Sequence, residues 1–472
     1  MKDTSTKRRE YYDSLAEGRA KYRKSKAFYW NSITRYCGYF IADDCNVLEV
    51  GCGTGELLAA VKGKRKLGID FSPAMVAKAR EQFPALDFRV VDAENMELSE
   101  PFDVIILSNL IGTLNDIQLC FEQLQKVCRR DTRVIVTYYN VVWEPLIRFA
   151  EFLRLKKKSL PQSWLSRVDI SKLLELSGFE AYRHNRNMLI PFNIPCVSWF
   201  FNKFISRLPL FNAFALNQYV FARPNPALFA PQEYSTSVVI PARNESGNIE
   251  NAILRLPQFG KHVEIIFVEG NSTDDTWAKI QEVQAKYRSS HDIKIARQDG
   301  KGKADAVRKG YDMATGDILM ILDADLTVQP EDIPKFYNAI ASGKGEFING
   351  SRLVYPLEKN SMRFLNMLGN KFFSMAFSWL LEQPIKDTLC GTKVMFRKDY
   401  IRLQKNRSFF GNFDPFGDFD LLFGAYKLNL KIVDLPIRYQ ERTYGDTNIS
   451  RFRHGVILLR MCFYAAGKIK FW

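Results

Sequence analysis

The sequence has 472 residues, of which 46% are hydrophobic and 13% aromatic, and its formal net charge is +15. This length and apolar content predict about two to four folded domains with buried cores, and they exclude an intrinsically disordered chain. The eight cysteines are scattered without a C-x-x-C pair and the four histidines are far apart, so reduced thiols are expected and a zinc site is not.

The N-terminal residues are polar and basic. MKDTSTKRREYYDS has no apolar core, and no apolar run in the chain reaches the roughly 18 residues of a spanning helix, so neither a secretory signal nor a membrane span is expected. We therefore expect a cytoplasmic protein, and contact with the cytoplasmic face of a membrane remains open. Residues 1–30 hold nine Lys or Arg against four acids, and residues 148–158 hold five against one. Such clusters attract phosphate-rich partners or anionic lipids; without a nucleic-acid-binding motif, no nucleic-acid partner is expected.

Apolar runs alternate with helical patterns in both halves of the chain. The first half contains NVLEV, KLGID, DFRVV, FDVIIL and TRVIVTYY, and the second contains TSVVIPA, VEIIFVE, IKIARQ and DILMILD. This alternation predicts two α/β domains with parallel sheets and crossover helices. Pro224, Pro226 and Pro231 mark a seam. The predicted division is a first domain over 1–225, a linker over 226–233 and a different second domain over 234–472.

A glycine-rich turn follows the first predicted strand. NVLEV contains Glu49 and runs into Gly51, Gly53 and Gly55, after which ELLAAV has a helical pattern. Such a turn lets the backbone approach a ligand at the helix N-terminus. The next strands end at Asp70, placed to accept hydrogen bonds from ribose hydroxyls, and at Asp92, where a carboxylate can flank an adenine.

Over residues 30–223 the chain resembles a class I S-adenosylmethionine-dependent methyltransferase. The likeness rests on the glycine turn and on LGIDFSPAMVAKAR, VVDAENM, FDVIILSNLIGTLND and DISKLLELSGFEA. It implies a Rossmann-like sheet and S-adenosyl-L-methionine as cofactor. Its implied cofactor-binding residues are Glu49, Gly51, Gly53, Gly55, Asp70, Asp92 and Ala93.

The methyl acceptor is left open by the sequence. Many relatives carry a histidine after the fourth strand, where this chain has Gly112 and Thr113, so no base is assigned. A domain that binds the cofactor as a regulatory or scaffolding module is the alternative. The aromatic segment 189–216 has three interpretations, namely a lid, a membrane-facing patch and core against the other domain, and core is favoured.

The second half places two carboxylates after a buried strand. In ILMILDADLTVQPED, Asp323 and Asp325 follow an apolar run, at the edge where ligands of parallel sheets bind. Such a pair can hold Mg²⁺ or Mn²⁺ that also binds a diphosphate. Earlier strand ends supply Pro241, Glu269, Asp274 and Asp275, and Lys303 and Asp305 precede the pair. Acids for a nucleoside, a lysine for phosphate and a metal pair suit a nucleotide-diphosphate donor.

This order of motifs resembles a family-2 glycosyltransferase of the GT-A fold, over about 234–450. The resemblance implies a nucleotide-sugar donor bound by Pro241, Arg243, Glu245, Glu269, Asp274, Lys303, Asp305 and Asp323, with Asp323 and Asp325 as metal ligands. One departure is that Val268, Glu269, Gly270, Asn271 and Ser272 replace the usual V-D-D-G-S. The longer arm of Glu269 puts its fit to the base in question.

Within that family the likeness is greatest to dolichyl-phosphate mannose synthase and related polyprenyl-phosphate enzymes. It rests on DTLCGTKVMFRKDY, FGDFDLL and LPIRYQERTYGDTNISRF. The resemblance implies inverting transfer to a lipid phosphate, with Arg438, Arg442, Arg451 and Arg453 near the phosphates and Arg442 among the catalytic residues. If the acceptor is a hydroxyl, Asp418 or Asp420 would be the base; Asp420 matches better, although Leu422 stands where a further acid is usual.

Two apolar helical patterns predict peripheral membrane contact. Residues 361–383 place Phe364, Leu365, Leu368, Phe372, Met375, Ala376 and Trp379 on one face, and the last 22 residues combine apolar and basic side chains. The leading hypothesis is a bifunctional transferase. The sugar, the nucleotide and the oligomeric state are not indicated.

Overall fold

The structure is a computed structural model that describes residues 2–153, 160–352, 354–355, 364–405, 417–438, 440, 444 and 451–471. The chain forms two compact units, residues 1–229 and 230–472. Each unit has its own sheet and its own apolar core, so the prediction of two α/β domains is confirmed.

The first unit contains, among its described residues, a seven-stranded sheet in the order β3-β2-β1-β4-β5-β7-β6. The strands are β1 (Asn46–Val50), β2 (Arg65–Asp70), β3 (Asp87–Val90), β4 (Phe102–Ser108), β5 (Cys128–Tyr139), β6 (Phe179–Asn187) and β7 (Asn217–Pro224). β1 to β5 pair in parallel, whereas β7 runs antiparallel to β5 and β6. The sheet is therefore mixed: the predicted parallel pairing is present in β1 to β5, and β7 adds antiparallel pairing that the sequence did not predict.

The helices of the first unit fill the crossovers and the two ends of the sheet. They are α1 (Lys2–Ser25), α2 (Ala27–Tyr39), α3 (Glu56–Ala60), α4 (Pro73–Gln82), α5 (Ile117–Leu124), α6 (Glu144–Phe152), α7 (Arg167–Leu176), α8 (Val197–Lys203) and α9 (Pro209–Asn212). β1 carries four consecutive buried residues, as expected of a strand with both faces covered.

The second unit repeats the arrangement with a different strand order, β10-β9-β8-β11-β13-β12-β14, again among the described residues. The strands are β8 (Ser235–Ala242), β9 (His262–Glu269), β10 (Asp292–Arg297), β11 (Ile318–Ile321), β12 (Phe347–Ser351), β13 (Lys393–Phe396) and β14 (Ile432–Pro436). β13 is antiparallel to β11 and β12, so this sheet is mixed as well.

The helices of the second unit are α10 (Ile249–Leu254), α11 (Thr276–Tyr287), α12 (Lys303–Met313), α13 (Ile333–Ala341), α14 (Phe364–Leu381), α15 (Arg397–Lys405), α16 (Asp418–Lys427) and α17 (Arg451–Ile469). α10 to α13 belong to the alternating part of the fold, where each lies between two strands in sequence. Within the described residues, none of these helices or those of the first unit is long and apolar enough to cross a bilayer.

Segment 189–216 carries the aromatic side chains that were predicted to be core against the other domain. Phe192, Trp199, Leu210, Phe211 and Phe214 are all exposed. Within its own unit this segment is therefore outside the main core cluster, and packing against the other domain stays a prediction. This segment joins β6 to β7 at the edge of the sheet where β1 to β5 end.

Candidate active sites

The glycine turn of the first unit leaves an open space in front of its backbone. Gly51, Gly53 and Gly55 have φ of 72°, 55° and 83°, in the left-handed region that favours glycine. A Cβ added to Gly51 would lie 2.7 Å from Leu110 Cδ1, and one added to Gly55 would lie 2.6 Å from Phe88 Cζ. A Cβ on Gly53 would meet no atom within 4 Å. The outer glycines allow close packing, and the middle one borders room for a ligand.

Two buried acids hold this turn through backbone amides. Asp70 Oδ2 accepts from the Gly53 amide at 2.9 Å and Oδ1 from the Ser72 amide at 3.0 Å, while Glu49 Oε2 accepts from the Leu58 amide at 3.0 Å. Burial raises the pKa of Glu49 to about 8 and also raises the pKa of Asp70. Asp70 lies directly beside the turn, whereas Glu49 fixes the start of α3.

The other predicted cofactor residues lie at the end of β3. Asp92 Oδ1 accepts from the Glu94 amide at 3.0 Å, and Ala93 is buried. Arg8 of α1 donates to Glu94 Oε1 at 3.0 Å and to the Thr113 carbonyl at 2.9 Å. The N-terminal helix therefore contacts the loops after β3 and β4.

Helix α1 runs along the edge that carries the predicted cofactor residues, and the sequence did not indicate this. Asp13 hydrogen-bonds the Ser72 hydroxyl and accepts from the Ala74 amide at 3.3 Å, and Arg23 pairs with Glu56 Oε2 at 2.9 Å beside the glycine turn. Two of the N-terminal basic residues, Arg8 and Arg23, are thus buried in internal ion pairs rather than displayed to a partner.

Gly112 is one of the two residues found where many relatives carry a histidine, and there is no room for a side chain at Gly112. A Cβ on Gly112 would overlap the Tyr138 hydroxyl, which donates to the Ser163 carbonyl at 3.0 Å. Nearby, Asn109 has φ of 52° and donates to the Tyr29 hydroxyl at 2.9 Å. Tyr29 stacks on Tyr139 with ring centroids 5.9 Å apart. Tyrosines and an amide, not a histidine, line this end of the site.

In the second unit, Asp323 and Asp325 follow β11 as expected. Asp323 Oδ1 lies 2.5 Å from Lys303 Nζ. Asp325 Oδ1 accepts from the Thr327 amide at 3.1 Å and from its hydroxyl at 2.8 Å, which fixes the orientation of this carboxylate. Leu326, which lies between Asp325 and Thr327, is buried and has φ of 52°. This backbone conformation costs about 1–2 kcal/mol in an L-residue.

Lys303 is the cation of this cluster. Burial alone would lower the pKa of its ammonium group, but Asp323, Asp418 and Asp325 outweigh burial and raise that pKa, so the group remains charged at neutral pH. A Cβ added to Gly391 would overlap both Asp323 Oδ2 and Lys303 Nζ. The backbone of the 390–391 loop therefore lies directly on the ion pair.

The 390–391 loop is anchored by a buried ion pair that the sequence did not reveal. Arg352 Nε and one of its terminal nitrogens contact the two oxygens of Asp387 at 2.7 and 2.9 Å. Asn370 Nδ2 donates to the same carboxylate at 3.0 Å. Burial would raise the pKa of Asp387, but Arg352 and these hydrogen bonds hold it well below its ordinary value.

Predicted donor residues lie at the ends of β8 and β9 and in the loops that follow, and these two loops are hydrogen-bonded to each other. Asn244 and Asn271 have φ of 56° and 57°, and Asn244 Oδ1 accepts from the Thr273 amide at 2.8 Å. Glu269 is buried and accepts from the Ser272 amide at 2.5 Å. Pro241 pairs with Val268 across β8 and β9, and Arg243 is exposed.

Asp274 and Asp305 accept hydrogen bonds from backbone amides of their own loops, whereas the backbone of Glu245 bonds a side chain that follows β9. Asp274 Oδ1 accepts from the Thr276 amide at 3.0 Å, Asp305 Oδ2 accepts from the Gly300 amide at 2.7 Å, and the Glu245 amide donates to Thr276 Oγ1 at 2.9 Å. Burial would raise the pKa of Asp274, but the hydrogen bonds from Thr276 and Ser246 lower it. These groups shape the edge of the sheet around Lys303.

Asp418 and Asp420 face different partners on α16. Asp418 is buried, and its Oδ1 lies 3.7 Å from Lys393 Nζ. Its negative charge also raises the pKa of Lys303. Asp420 pairs with Arg308 at 2.7 Å and lines a small pocket with Tyr311 and Tyr400. Two residues along a helix turn by about 200°, which explains the separation. Asp418, not Asp420, is the acid next to the charged cluster.

The C-terminal segment reaches the same loops. The Gln440 amide donates to the Thr327 carbonyl at 3.1 Å, and the Tyr444 hydroxyl is 3.0 Å from Ser246 Oγ. Arg438 is exposed and lies over the Tyr355 ring at 5.8 Å. Arg442 lies outside the described residues, as do the side chains of Arg451 and Arg453.

The residues that could hold a metal are two carboxylates, Asp323 and Asp325. No group of three or more His, Cys, Asp or Glu side chains that could bind an ion occurs in the part of the chain that the structure describes. Mg²⁺ needs only one or two protein carboxylates when substrate phosphates and water complete its shell, so an oxygen pair at this edge fits that ion.

Two family models match separate parts of the chain. A model described as a methyltransferase domain matches residues 41–175, and one described as glycosyl transferase family 2 matches residues 237–403. The chain joins a methyltransferase domain to a family-2 glycosyltransferase domain. The matches include the glycine turn with Asp70 and Asp92 in the first half, and the strand ends through Asp323 and Asp325 in the second. The two resemblances seen in the sequence are therefore confirmed.

Curated relatives match the glycosyltransferase half. A dolichol-phosphate mannosyltransferase from Pyrococcus furiosus is 32% identical over 223 residues, which are 45% of this chain and 58% of that protein. An undecaprenyl-phosphate 4-deoxy-4-formamido-L-arabinose transferase from Klebsiella pneumoniae is 24% identical over 229 residues, 47% of this chain and 65% of that protein. The chain thus spans less than two thirds of the length of either relative.

Among solved structures, a SAM-dependent methyltransferase from Thermotoga maritima is 15% identical, covers 46% of this chain and 99% of that chain, and gives a TM-score of 0.36. Both matching family models describe transferase domains.

Proposed function

We propose that the glycosyltransferase domain transfers a sugar from a nucleotide-diphosphate donor to the phosphate of a polyprenyl lipid, and that the methyltransferase domain methylates a second acceptor with S-adenosylmethionine. The observation that carries the first part is the cluster of Lys303, Asp323 and Asp325 under Gly391. The names of both curated relatives contain a polyprenyl phosphate, which supports this class of acceptor.

On the donor side, the ammonium of Lys303 would donate to the departing diphosphate. Asp323 and Asp325 would hold Mg²⁺ or Mn²⁺, an ion that neutralises charge on that diphosphate when it is bound. Fixed charges stabilise a leaving group because they need no reorientation during the reaction. Glu269 and the loops bonded by Asp274 and Asp305 would shape the space for the nucleoside.

On the acceptor side, a lipid phosphate is already anionic and needs cations more than a base. Arg438, Arg442, Arg451 and Arg453 are the arginines that we assign to this role. A hydroxyl acceptor with Asp420 as the base is less well supported, because Asp420 is paired with Arg308. If a base is used, the position of Asp418 near Lys303 makes it the better candidate.

Membrane contact by the glycosyltransferase domain would use α14 and α17. Phe372 and Met375 of α14 and Phe463 of α17 are exposed, the last of them to 77%. Just beyond the helix ends, Glu382 and Lys470 form a buried pair at 2.6 Å that ties α14 to α17. An exposed apolar face on two joined helices suits the interfacial region of a bilayer.

The sugar-transfer proposal is tested with labelled UDP- and GDP-sugars, a short polyprenyl phosphate and Mg²⁺ or Mn²⁺. The expected product is a lipid-soluble label that mild acid releases, and chelation of the metal should abolish it. Asp325→Asn should lose the activity, while Asp299→Asn, an exposed acid paired with Lys309 in the same domain, should retain it. Transfer to a hydroxyl acceptor but not to the lipid phosphate would contradict the proposal.

The methyltransferase part needs a separate assay. Titration calorimetry should detect S-adenosylmethionine binding, and labelled methyl groups should appear in a membrane lipid extract or in the glycosylated lipid. Binding without any methyl transfer would instead favour the regulatory or scaffolding alternative. Because the two assays use different donors, one can fail without the other.

A further inference from the structure

Three helices of the methyltransferase domain have apolar side chains with no surface to pack on in the described part of that domain. None of the nine residues of α6 is buried, although Leu146, Phe149 and Phe152 lie on it. In α8 only Ser198 is buried, and in α9 no residue is. An amphipathic helix normally buries its apolar face, so exposed faces of this size indicate a partner outside the domain.

These helices lie at one edge of the sheet. α6 follows the end of β5, and the segment with α8 and α9 connects β6 to β7. Asn140 Nδ2 donates to the Ala213 carbonyl at 2.9 Å, and Trp143 Nε1 donates to the Phe214 carbonyl at 2.7 Å. Residues 142–153 and 192–214 therefore form one continuous exposed surface, which we name the apolar edge.

The apolar edge is connected to the cofactor turn through the first two helices. Arg23 pairs with Glu56 next to the glycine turn, and Lys26 lies over the Phe192 ring at 5.2 Å. Tyr29, three residues further, contacts Asn109 at the end of β4. The same short stretch of chain thus contacts the cofactor turn, the interior of the site and the apolar edge.

The charge of the apolar edge narrows the identity of its partner. No Asp or Glu occurs between Glu180 and Glu233, whereas Lys203 and Arg207 lie among the exposed aromatic residues. Lys203 Nζ lies 5.7 Å from the centroid of the Trp199 ring.

Residues 192–214 combine Phe and Trp with Lys and Arg and contain no carboxylate, which is the composition of interfacial anchors. In residues 142–153, Glu144 is paired with Arg148 at 2.6 Å and Glu151 is half-buried. A second copy of the 192–214 stretch would instead place cations against cations.

We propose that the apolar edge inserts into the headgroup region of an anionic phospholipid bilayer. The methyltransferase domain would then have its own membrane contact, separate from α14 and α17, and its cofactor edge would face the lipid. The proposal depends on neither sugar transfer nor methyl transfer, so it can fail while both activities stand.

The first test measures partition of the full-length protein onto vesicles of phosphatidylcholine, with or without an equal part of phosphatidylglycerol. Binding to the anionic vesicles is expected, and Trp199→Glu with Leu210→Glu should lower the partition coefficient by about tenfold for each side chain. Leu176→Glu on α7 is the matched control, because Leu176 is 69% exposed and Leu210 is 72% exposed. An equal loss in the control, or no loss in the double variant, would overturn the proposal.

The second test places a probe on the surface itself. Of the eight cysteines, Cys196 is the exposed one, and it begins α8. An environment-sensitive fluorophore on Cys196, its position checked by peptide mapping, should shift to shorter wavelength on anionic vesicles, and the shift should persist in Phe463→Glu. Vesicle binding without this shift would show that only the other domain meets the lipid. A changed sedimentation coefficient of Trp199→Glu without lipid would show that protein covers the surface.

Discussion

The two candidate sites lie at equivalent edges of two similar sheets but are built from different parts of the chain. In the methyltransferase domain, acids such as Asp70 and Glu49 bond backbone amides, so the backbone forms the surface that a ligand meets. In the glycosyltransferase domain, Asp323 and Lys303 pair with each other, and their charged side chains form the surface that a ligand would meet. The cofactor site should therefore depend on shape, and the donor site on charge.

The largest effect is expected from removing the cation of the donor site. Lys303→Met should reduce kcat/KM for sugar transfer by about 10³-fold, because a fixed charge aimed at the leaving group is lost and Asp323 becomes unpaired. Steady-state kinetics with the preferred nucleotide sugar would measure this. Lys309→Met removes a half-buried lysine of the same helix that pairs with the exposed Asp299, and it should change little. Equal losses in both variants would show that the effect is not local.

The next variant asks whether shape also matters in the charged site. Gly391→Ala would push a methyl group into Asp323 and Lys303, and sugar transfer should fall by about 10²-fold through displacement of these groups. Gly369→Ala on α14 is the control, because a Cβ there meets no atom within 4 Å. Full activity of Gly391→Ala would mean that the loop moves away without cost to the site.

The corresponding variant of the cofactor turn should act without any change of charge. Gly53→Ala places a Cβ where φ is 55°, which costs about 1–2 kcal/mol, and fills the space before the turn. Calorimetry should show S-adenosylmethionine binding weakened by more than about tenfold. Gly18→Ala in α1 meets no atom and should bind normally. Normal binding by Gly53→Ala would place the cofactor elsewhere.

The smallest expected effect is on the pH dependence of stability, which should differ between Glu49, a buried acid with a raised pKa, and Asp387, a buried acid with a lowered pKa. The pKa of Glu49 is raised from 4.5 to about 8, so its burial favours folding most below pH 4.5, and that contribution is lost as the pH rises toward 8. Glu49→Gln keeps an acceptor for the Leu58 amide and should stabilise the methyltransferase domain by about 1–2 kcal/mol at pH 8, but not near pH 4.

Hydrogen exchange of β1 peptides, measured without cofactor, would report this change. Asp387 has the opposite shift, with its pKa below 3.8, so its contribution to the glycosyltransferase domain is lost only as the pH falls below that value. Exchange of β8 peptides should accordingly be the same in wild type and Glu49→Gln at pH 8. A destabilised Glu49→Gln at that pH would contradict the assignment of a buried, protonated glutamate.

The sequence predicted the strands that carry the motifs because continuous apolar runs such as NVLEV and DILMIL are read directly as buried strands. It missed β6 and β7, since FEAYRHNRN and NQYVFARP mix large polar and apolar residues although β7 is buried throughout. It likewise missed β12 and β13, which are five and four residues long. Their antiparallel pairing is set by tertiary contacts, not by local pattern.

Of the candidate sites, the motifs gave the glycine turn and the Asp323–Asp325 pair, but not their surroundings. Arg8 reaches Glu94 across 86 positions of sequence, and no local pattern records such a contact. The sequence did not show which of Asp418 and Asp420 faces Lys303. That depends on how α16 is rotated about its axis, and the rotation follows from the residue at which the helix begins. Exposure of the 189–216 segment could not be predicted, since a core and an interface have the same composition.

Residues 192–214 of the apolar edge contain no Asp, Glu or His that could gain a proton. Mild acidification, which neutralises aspartates and glutamates elsewhere in the chain, therefore leaves the cationic side chains of that stretch with the same excess of charge. The attraction of this stretch for an anionic layer should consequently be governed by ionic strength and by lipid composition, and hardly at all by the acidity of the compartment.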